Sequence, residues 1–470
     1  MANDNKVRNK YLFKNTAIFA VGNFASKFIS FFLVPLYTNC LMAAEYGTVD
    51  LLYTLCNFLV PLFTLNIVEA VLRFSLDKNA NEKKIIRIAV DMILPLVLIG
   101  ALSIPILGMF DNYRNYVFYF YVYMVTHGLA QIFLVALKGQ EKLKKYAFGN
   151  VLHTLFIAVF NIAFLLWMKM GIEGYFLAYI LANIIVTLYA IVNCHLVRNL
   201  KGSTFDKKLF GKMVKYSAVL MPTSFMWWIM NFLDRVMITS MIGVGESGIY
   251  AVSYKLPTIL ATLSSVFIQA WLFSAIKNDK TEGNTKYTNQ VFRAMTLVLA
   301  TMSIVMLIFI KEFFKVYVGA EYYIAWEYVS VLMIGHIFLT LSTFISTSYN
   351  VNKDSKGFLY SAAVGALVNL VLNAILIPTI GVQGAAIATT ISYMAVFSYR
   401  LYDTRKYLKI RLTLRFFITI LSVAMTACSL FIDGEVWGKA LQLLSVIIFV
   451  GVNYRKGCLR LGARRVLRKI

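Results

Sequence analysis

Four basic residues lie in or beside apolar segments that are long enough to cross a membrane. Lys27, Arg235 and Lys255 lie within such segments, and Arg73 lies at the end of another. A cation in hydrocarbon is costly, so each must meet water, a partner or a ligand. Together they could form a ladder of positive charge suited to an anionic group such as a pyrophosphate. The alternative is structural: Asp234 neutralises Arg235, Lys255 reaches the outer surface, and Arg73 marks a loop.

Polar side chains also line one face of two of these segments. On the first segment they are Asn23, Ser26, Lys27 and Ser30, and on the seventh they are Ser224, Trp228, Asn231 and Arg235. Their spacings place each set on a single helical face. We expect the two faces to form two walls of one central cavity. Trp228 could stack on a sugar ring there, with ordinary packing as the alternative.

Acidic residues in the apolar segments are candidates for binding a coupling proton or sodium ion, because such groups commonly serve ion pathways. These candidates are Glu69, Asp91 and Asp234. Two of the three lie close to predicted cytoplasmic boundaries. The histidines within apolar segments are His127, His153 and His336. Single imidazoles on apolar helices indicate hydrogen-bonded packing more than a proton relay.

The composition indicates a membrane protein. Of the 470 residues, 60% are hydrophobic and only 14% are charged, and the mean hydropathy is +0.71. Apolar runs can be read at about 16–39, 49–71, 88–109, 115–137, 146–168, 174–197, 217–241, 250–275, 291–310, 325–350, 358–379, 382–400, 412–432 and 437–453. About 14 helical spans leave only short loops. The fold class is therefore all-α and polytopic, which excludes soluble enzymes, nucleic-acid-binding folds and ATPase modules.

The positive charge follows the predicted loops. The chain has 46 Lys and Arg against 22 Asp and Glu. If the N-terminus is cytoplasmic, 38 of these basic residues fall in inner segments and five in outer ones. This contrast satisfies the positive-inside rule and predicts that both termini are cytoplasmic. The high net charge thus reflects topology, and no nucleic-acid partner is expected.

Sequence patterns for metal sites and nucleotide hydrolysis are missing. The five cysteines have no CxxC or CxxH spacing, so neither a metal site nor a disulfide framework is supported. The sequence contains no GxxxxGK[ST], HExxH or GxSxG pattern. We therefore expect no catalytic residues and no cofactor, apart from a coupling Na⁺ or H⁺.

An internal repeat appears when the chain is compared with itself at an offset of 201 residues. The matching pairs are Phe31 and Phe232, Thr38 and Thr239, Glu45 and Glu246, Gly47 and Gly248, Tyr53 and Tyr254, and Leu55 and Leu256. Chance similarity between apolar helical pairs is the alternative. We expect a six-helix lobe in residues 1–200, a second in 201–405, and two further helices with a basic cytoplasmic tail in 406–470. Because six is even, the two lobes would have parallel orientations.

All seven prolines lie within or at the ends of the spans. Proline removes a backbone donor and kinks a helix. Pro35, Pro222 and Pro257 lie in the first two helices of each half and are candidate hinges. The alternative is that proline is simply common in membrane helices.

Three segments resemble one family of transporters. They are PLYTNCLMAAEYGTVDLL (35–52), MPTSFMWWIMNFLDRVMITSMIGVGESGIYAVSYKLP (221–257) and VNLVLNAILIPTIGVQGAAIATTISY (368–393). As an ordered set they are similar to polysaccharide flippases of the multidrug/oligosaccharidyl-lipid/polysaccharide exporter superfamily. The resemblance implies two six-helix lobes around a central cavity, two further helices and alternating access. It also implies an undecaprenyl-pyrophosphate-linked oligosaccharide as substrate, moved to the outer leaflet of the bacterial plasma membrane for polysaccharide export.

In the mechanism that we expect, Lys27 and Arg235 neutralise the diphosphate. Side chains offering hydrogen bonds to the sugars would be Asn23, Ser30, Asn231 and Gln269. Bending near Pro35, Pro222 and Pro257 would let the lobes rock and open the cavity outward. The partners implied are the lipid-linked oligosaccharide, the bilayer and a polysaccharide polymerase.

Three other functions stay open at this point. A multidrug antiporter of the same superfamily would bind organic cations, but the deepest charge here is that of Lys27, whereas an acidic cavity would be needed. A polysaccharide polymerase or membrane acyltransferase would need a catalytic constellation on a long outer loop, and the outer loops are short. A permease served by a separate ATPase is the third. Polar and aromatic lining does not encode a particular glycan.

Overall fold

The computed structural model describes residues 26–77, 80–195, 200–201, 203–278, 284–352 and 354–453. In these ranges the secondary structure is helical, with no strand, which confirms the all-α prediction. The chain divides into two compact units, Met1–Trp228 and Ile229–Ile470. The domain boundaries expected at residues 200 and 405 stay predictions.

The first unit consists of ten helices and part of an eleventh in its described ranges. They are α1 (26–40), α2 (Ala43–Phe63), α3 (Ile67–Ser75), α4 (Glu82–Asp91), α5 (Ile93–Gly100), α6 (Ser103–Gly108), α7 (Asp111–Arg114), α8 (Val117–Gly139), α9 (Leu143–Asn161), α10 (Gly171–Asn193) and the first part of α11 (Lys207–Met241). A π-helical segment, Ile162–Trp167, extends α9.

The second unit holds the remainder of α11 and, in the part of it that the structure describes, nine further α-helices. They are α12 (Val244–Ser253), α13 (Lys255–Asn278), α14 (Asn284–Ile308), α15 (Ile310–Tyr317), α16 (Ala325–Asn352), α17 (Ser355–Ile380), α18 (Val382–Asp403), α19 (Leu414–Ser429) and α20 (Glu435–Asn453). Short 3₁₀ turns, Ala320–Tyr322 and Thr404–Lys406, precede α16 and follow α18.

Every predicted apolar run overlaps a helix in the described ranges. Nine of these helical stretches are long and apolar enough to cross a membrane. The other runs coincide with α1, which the structure describes from residue 26 onward, with α11, α13 and α18, and with α19, an apolar helix of 16 residues. The chain is therefore a multi-pass membrane protein, and the predicted count of 14 spans is approximate.

Helix α8 is the centre of the first unit. It packs against α10, α9 and α3. Ile132 of α8 belongs to a buried apolar cluster with Ile88 and Met213. Phe133 of the same helix belongs to a second cluster with Val186. Two faces of α8 are thus buried in protein, which fixes the helices around it.

Helix α16 has the same role in the second unit. It is the most deeply buried of the candidate spans in the described ranges, and it packs against α18 and α13. Helices α17 and α18 form a hairpin around Gly381, whose φ of +65° favours glycine. At Gly384 an added Cβ would lie 2.3 Å from the carbonyl oxygen of Leu376, so only glycine allows this close approach.

Several predicted spans are interrupted, among them 49–71 and 250–275. Leu65 and Asn66 adopt left-handed conformations, with φ of 51° each, and separate α2 from α3. Tyr254 alone separates α12 from α13. Pro257 explains the second break, because it has no N–H to donate to the carbonyl group of Ser253. The hydropathy pattern does not show either break.

Candidate functional site

Asp234 of α11 lies at the centre of a buried polar cluster in the second unit. Only 1% of this residue is exposed. Its Oδ2 accepts hydrogen bonds from Tyr250 Oη (3.1 Å), Tyr254 Oη (3.0 Å) and Thr389 Oγ1 (2.6 Å). Its Oδ1 accepts one from Asn373 Nδ2 (3.0 Å). Four uncharged donors, from α12, α17, α18 and the residue between α12 and α13, therefore hold this carboxylate.

A second layer of polar groups supports these donors. Asn373 Nδ2 also lies 3.1 Å from Oδ1 of Asn369, whose Nδ2 donates to Thr389 Oγ1 at 3.3 Å. Asn369, Asn373 and Thr389 are all fully buried. Within the described part of the chain, the buried Oδ1 of Asn373 has no hydrogen-bond partner. A buried amide oxygen beside a carboxylate is therefore available to a further ligand.

The chemistry of this cluster suits a monovalent cation or a proton. Its potential ligands are one carboxylate and the oxygens of hydroxyl and amide groups, which are hard donors. No group of three or more His, Cys, Asp or Glu residues with metal-binding geometry occurs among the described residues. A single acidic charge balances Na⁺ or H⁺, whereas tight divalent sites usually combine several carboxylates.

Arg235, the next residue along α11, points elsewhere. Its Nη1 donates to the backbone carbonyl of Asn231 at 2.9 Å. Its guanidinium carbon lies 5.2 Å from the centre of the Tyr254 ring, a cation–π contact. Tyr393 Oη lies 3.5 Å from Oδ1 of Asn231. Arg235 is half-buried, while Asn231 is exposed.

Tyr254 therefore contacts both charged residues. Its hydroxyl group donates to Asp234, and the face of its ring lies against Arg235. His336 packs edge-on against the rings of Tyr254 and Tyr393, with centroid distances of 5.8 and 5.6 Å. Tyr254 is 6% exposed, so neighbouring rings fix its position.

The predicted contacts of the first segment are only partly described. Lys27 and Ser30 lie on α1, and both are exposed. Ser30 Oγ donates to the carbonyl group of Ser26 at 2.9 Å. Asn23 lies outside the described residues, and Gln269 lies in α13 without a described side chain. The proposed roles of these residues stay predictions.

Of the remaining charged candidates, Arg73, Glu69 and Asp91 lie away from the Asp234 cluster along the chain, and Lys255 follows Tyr254 directly. Arg73 and Glu69 are exposed on α3, where Arg73 pairs with Asp77. Asp91 ends α4 and pairs with Arg87 at 3.0 Å. Lys255 is half-buried at the first position of α13, next to Tyr254. Lys255 is therefore adjacent in the chain to a residue of the cluster. Arg73 and Asp91 each form an ion pair within or next to their own helix.

Trp228 packs within the first unit. Its ring stacks on that of Phe58 at a centroid distance of 3.7 Å, and its Nε1 donates to the carbonyl group of Thr54 at 3.4 Å. One face of the indole is therefore covered by protein. The predicted sugar contact would have to use the other face or the ring edge.

The candidate hinges have different local settings. Pro35 and Pro222 lie inside α1 and α11, which stay helical around them. Pro257 lies in the first turn of α13, immediately after the break at Tyr254. Of the three, Pro257 is the one at which the helix is interrupted. Its position also places the break beside the Asp234 cluster.

The sequence analysis does not predict several residues of the cluster as site residues. They are Tyr250, Tyr254, Asn369, Asn373, Thr389 and Tyr393. A signal did exist, because Tyr250 and Tyr254, like Asn369 and Asn373, are polar or amphipathic pairs at i, i+4 on apolar helices. That spacing places each pair on one helical face. The spacing does not show which other helix this face contacts.

Two of the histidines of the first unit, His127 and His153, are hydrogen-bonded within it. His153 Nε2 lies 2.8 Å from Oδ1 of Asn183, whose Nδ2 donates to Thr126 Oγ1 at 3.4 Å. His127 Nε2 lies 2.7 Å from the side-chain nitrogen of Gln131. These contacts join α8, α9 and α10 and fit the packing role expected for them.

A family model described as "Polysaccharide biosynthesis protein" matches residues 12–276 of the chain. A curated relative, "Probable low-salt glycan biosynthesis flippase Agl15" from Haloferax volcanii, is 25% identical over 286 residues, or 59% of each chain. A second, "Uncharacterized membrane protein MJ1068" from Methanocaldococcus jannaschii, is 24% identical over 216 residues, or 44% of this chain and 41% of the relative. The chain thus spans about two to three fifths of the length of these relatives.

Solved structures with the same fold are transporters. The inward closed conformation of the lipid II flippase MurJ superposes with a TM-score of 0.69 and 15% identity, over 94% of this chain and 98% of that one. An inward-facing multidrug resistance MATE family transporter of the MOP superfamily gives a TM-score of 0.65 and 10% identity, over 82% and 94%. At these identities the similarity shows the fold, which is MurJ- and MATE-like.

Proposed function

The chain belongs to the polysaccharide biosynthesis protein family, and we propose that it is a flippase for a polyprenyl-pyrophosphate-linked oligosaccharide. It moves the repeat unit from the cytoplasmic to the outer leaflet of the plasma membrane by alternating access, for use in polysaccharide export. The relative named as a glycan biosynthesis flippase supports this substrate class. The transporter fold supports a translocation function and not an enzymatic one.

A protein is needed for this step because a sugar pyrophosphate cannot cross about 30 Å of hydrocarbon unaided. A hydrated cationic site lowers that barrier while the polyprenyl tail stays in lipid. The excess of basic residues in alternate loops supports cytoplasmic termini. In this orientation the substrate enters from the cytoplasmic leaflet, where it is assembled, and a polymerase outside consumes it.

The observation that carries the proposal is the separation of two adjacent charges on α11. The Asp234 carboxylate is held by uncharged donors from α12, α17, α18 and Tyr254. The Arg235 guanidinium is directed instead to Asn231 and to the ring of Tyr254. A half-buried guanidinium presents planar, paired donors that match phosphate oxygens. Arg235 is therefore the proposed contact of the pyrophosphate in the second unit.

The Asp234 cluster is the proposed site of the coupling ion. A carboxylate buried in a membrane protein is costly unless it is stabilised. Uncharged donors stabilise the anion, and the hydroxyl oxygens of Tyr250, Tyr254 and Thr389 can rotate to accept when a proton or Na⁺ binds. The ion-free and ion-bound forms can therefore both exist, as coupling requires.

The experiment is a translocation assay with the full chain in proteoliposomes. The substrate is a fluorescent polyprenyl-pyrophosphate oligosaccharide, and a membrane-impermeant quencher reports which leaflet holds it. Arg235→Ala should reduce the rate at least tenfold, and Arg405→Ala, which changes an exposed basic residue after α18, should retain it. Lys27→Ala is measured in the same way because Lys27 is exposed on α1.

The assay separates the proposal from its main competitor. Vesicles that move an organic cation such as ethidium, and not the lipid-linked sugar, would assign the chain to multidrug transport. Normal flipping by both Arg235→Ala and Lys27→Ala would contradict the proposed role of these cations. Protein abundance in the vesicles is measured for each variant so that a loss of rate reports function.

A further inference from the structure

We propose that Tyr254 links the binding of a cation at Asp234 to the binding of a diphosphate at Arg235. This inference rests on the proposed function and adds a positioning residue to it. Tyr254 makes the two contacts with different parts of its side chain. Its hydroxyl group donates to Asp234 at 3.0 Å, and its ring centre lies 5.2 Å from the guanidinium carbon of Arg235. A rigid aromatic ring transmits a displacement of one end to the other.

The hydroxyl contact depends on the state of the carboxylate. When Asp234 is ionised, its Oδ2 is a strong acceptor and holds the Tyr254 hydroxyl group. When a proton or Na⁺ occupies the carboxylate, that acceptor is shared or lost. Thr389 and Tyr250 donate to the same oxygen, so they compete with Tyr254 for its remaining capacity to accept hydrogen bonds. The Tyr254 hydroxyl group is then released from the carboxylate and keeps only its longer contacts with Tyr250 Oη (3.3 Å) and Thr389 Oγ1 (3.4 Å).

The ring contact restrains Arg235. While Tyr254 is held, the guanidinium group lies between the ring face and the carbonyl group of Asn231. Release of the ring frees the guanidinium group to turn its donors toward a diphosphate. Cation binding at Asp234 therefore raises diphosphate affinity, and by reciprocity the diphosphate raises cation affinity.

The position of Tyr254 in the chain permits this movement. It is the single residue between α12 and α13, at the break caused by Pro257. The backbone there lacks one helical hydrogen bond, so Tyr254 lies at a position where the helix can bend. Tyr250, one turn earlier, lies inside α12 and is fully buried. It bonds to the same carboxylate oxygen from a continuous helix.

This difference provides a matched control. Tyr254→Phe retains an aromatic ring but removes the hydroxyl contact with Asp234, so the carboxylate no longer holds the ring against Arg235. Tyr250→Phe removes a hydrogen bond of 3.1 Å to the same Oδ2 and a contact of 3.3 Å with the Tyr254 hydroxyl group, but it leaves the hydrogen bond from Tyr254 to Asp234 in place. Asp234→Asn replaces the carboxylate with an uncharged carboxamide of similar shape. It therefore mimics a site whose charge is neutralised by a bound cation, whether that cation is a proton or Na⁺.

The test is a double-mutant cycle on the full chain in lipid nanodiscs, with farnesyl pyrophosphate as the probe and its Kd as the readout. Asp234→Asn should tighten binding at least fivefold in the natural chain and in Tyr250→Phe. In Tyr254→Phe, binding should already be tighter, and Asp234→Asn should change it less than twofold. Thr389→Val, which weakens the same carboxylate shell from α18, serves as a second perturbation if Asp234→Asn does not fold.

The outcomes are distinguishable. An equal effect of Asp234→Asn in all three backgrounds would show a direct charge effect between neighbouring residues and would overturn the link through Tyr254. Farnesyl pyrophosphate binding that does not depend on Arg235, tested with Arg235→Gln, would instead contradict the proposed function. If Asp234→Asn has the same effect with and without the Tyr254 hydroxyl group, while Arg235→Gln still weakens binding, the link through Tyr254 is contradicted and the proposed function is not.

Discussion

Thr389 Oγ1 donates a hydrogen bond of 2.6 Å to Oδ2 of Asp234 and thereby joins α18 to α11 across 155 residues of sequence. Thr389→Val keeps the shape of the side chain and removes the donor. We expect a loss of about 1–3 kcal/mol in the free energy of unfolding, because a hydrogen bond to a buried charge disappears. Thermal unfolding in detergent measures the effect.

The control for this substitution is Thr301→Val. Thr301 is exposed, and its hydroxyl group bonds to the carbonyl group of Leu297 in its own helix. Its loss should change stability by less than about 0.5 kcal/mol. Equal effects of the two substitutions would show that the contact with Asp234 has no special stabilising role.

Asp234→Asn should abolish the stabilisation of the protein by its coupling ion. A ligand that binds the folded state stabilises it by about 2.7 kcal/mol at a hundred times its Kd. The melting temperature of the natural chain should therefore rise with NaCl relative to choline chloride if Na⁺ is the ion. The variant should show no rise. A sodium-independent natural chain would assign the site to a proton, and an equal rise in both proteins would place the ion elsewhere.

The helices could be predicted from the sequence because hydropathy over about 20 residues is a local property. Each predicted run overlaps a helix in the described ranges. The breaks were less visible, because Leu65 and Asn66 adopt a conformation that most sequences avoid. The sequence indicates Pro257 as a candidate hinge, but only the structure shows that the helix is interrupted three residues earlier, at Tyr254.

The candidate site could be predicted only in part. Asp234, Arg235 and Asn231 share one helix, so their charges and spacing drew attention in the sequence. Asn373 and Thr389 are 139 and 155 residues away from the carboxylate that they contact. Their own helices show where polar side chains lie, but the periodicity of one helix does not specify the partner helix.

Gly384→Ala should destabilise the second unit strongly. A Cβ at this position would lie 2.3 Å from the backbone carbonyl oxygen of Leu376, so the α17–α18 hairpin would have to open. We expect a loss of more than about 2 kcal/mol, as for other overpacked sites. Fluorescence-detected size-exclusion chromatography after heating compares the variants.

Gly451→Ala is the matched substitution for this prediction. Within the described part of the chain, an added Cβ at Gly451 in α20 would meet no atom within 4 Å. Alanine favours the helix over glycine by up to about 1 kcal/mol, so this variant should be neutral or slightly more stable. A Gly384→Ala protein as stable as Gly451→Ala would contradict the close approach of α17 and α18.

Asp354 caps α17 and connects it to the turn after α18. Its Oδ1 accepts from the backbone N–H of Gly357 at 2.9 Å, and its Oδ2 lies 3.0 Å from Nζ of Lys406. The Gly357 N–H, followed by Lys406, lowers the pKa of the Asp354 carboxyl group. Asp354→Ala should cost about 1 kcal/mol at neutral pH through loss of the helix cap.

The cost should depend on pH in a defined direction. Because the folded pKa of Asp354 lies below the unfolded value of about 3.9, its contribution is complete above that value and is lost as pH falls through the folded pKa. The melting temperatures of Asp354→Ala and the natural chain should therefore differ at pH 7 and converge as the pH falls below about 4. Asp433→Ala, at an exposed turn position, controls for the general loss of a negative charge. A difference that stays constant from pH 7 to pH 3 would show that the ionised carboxylate does not hold this end of α17.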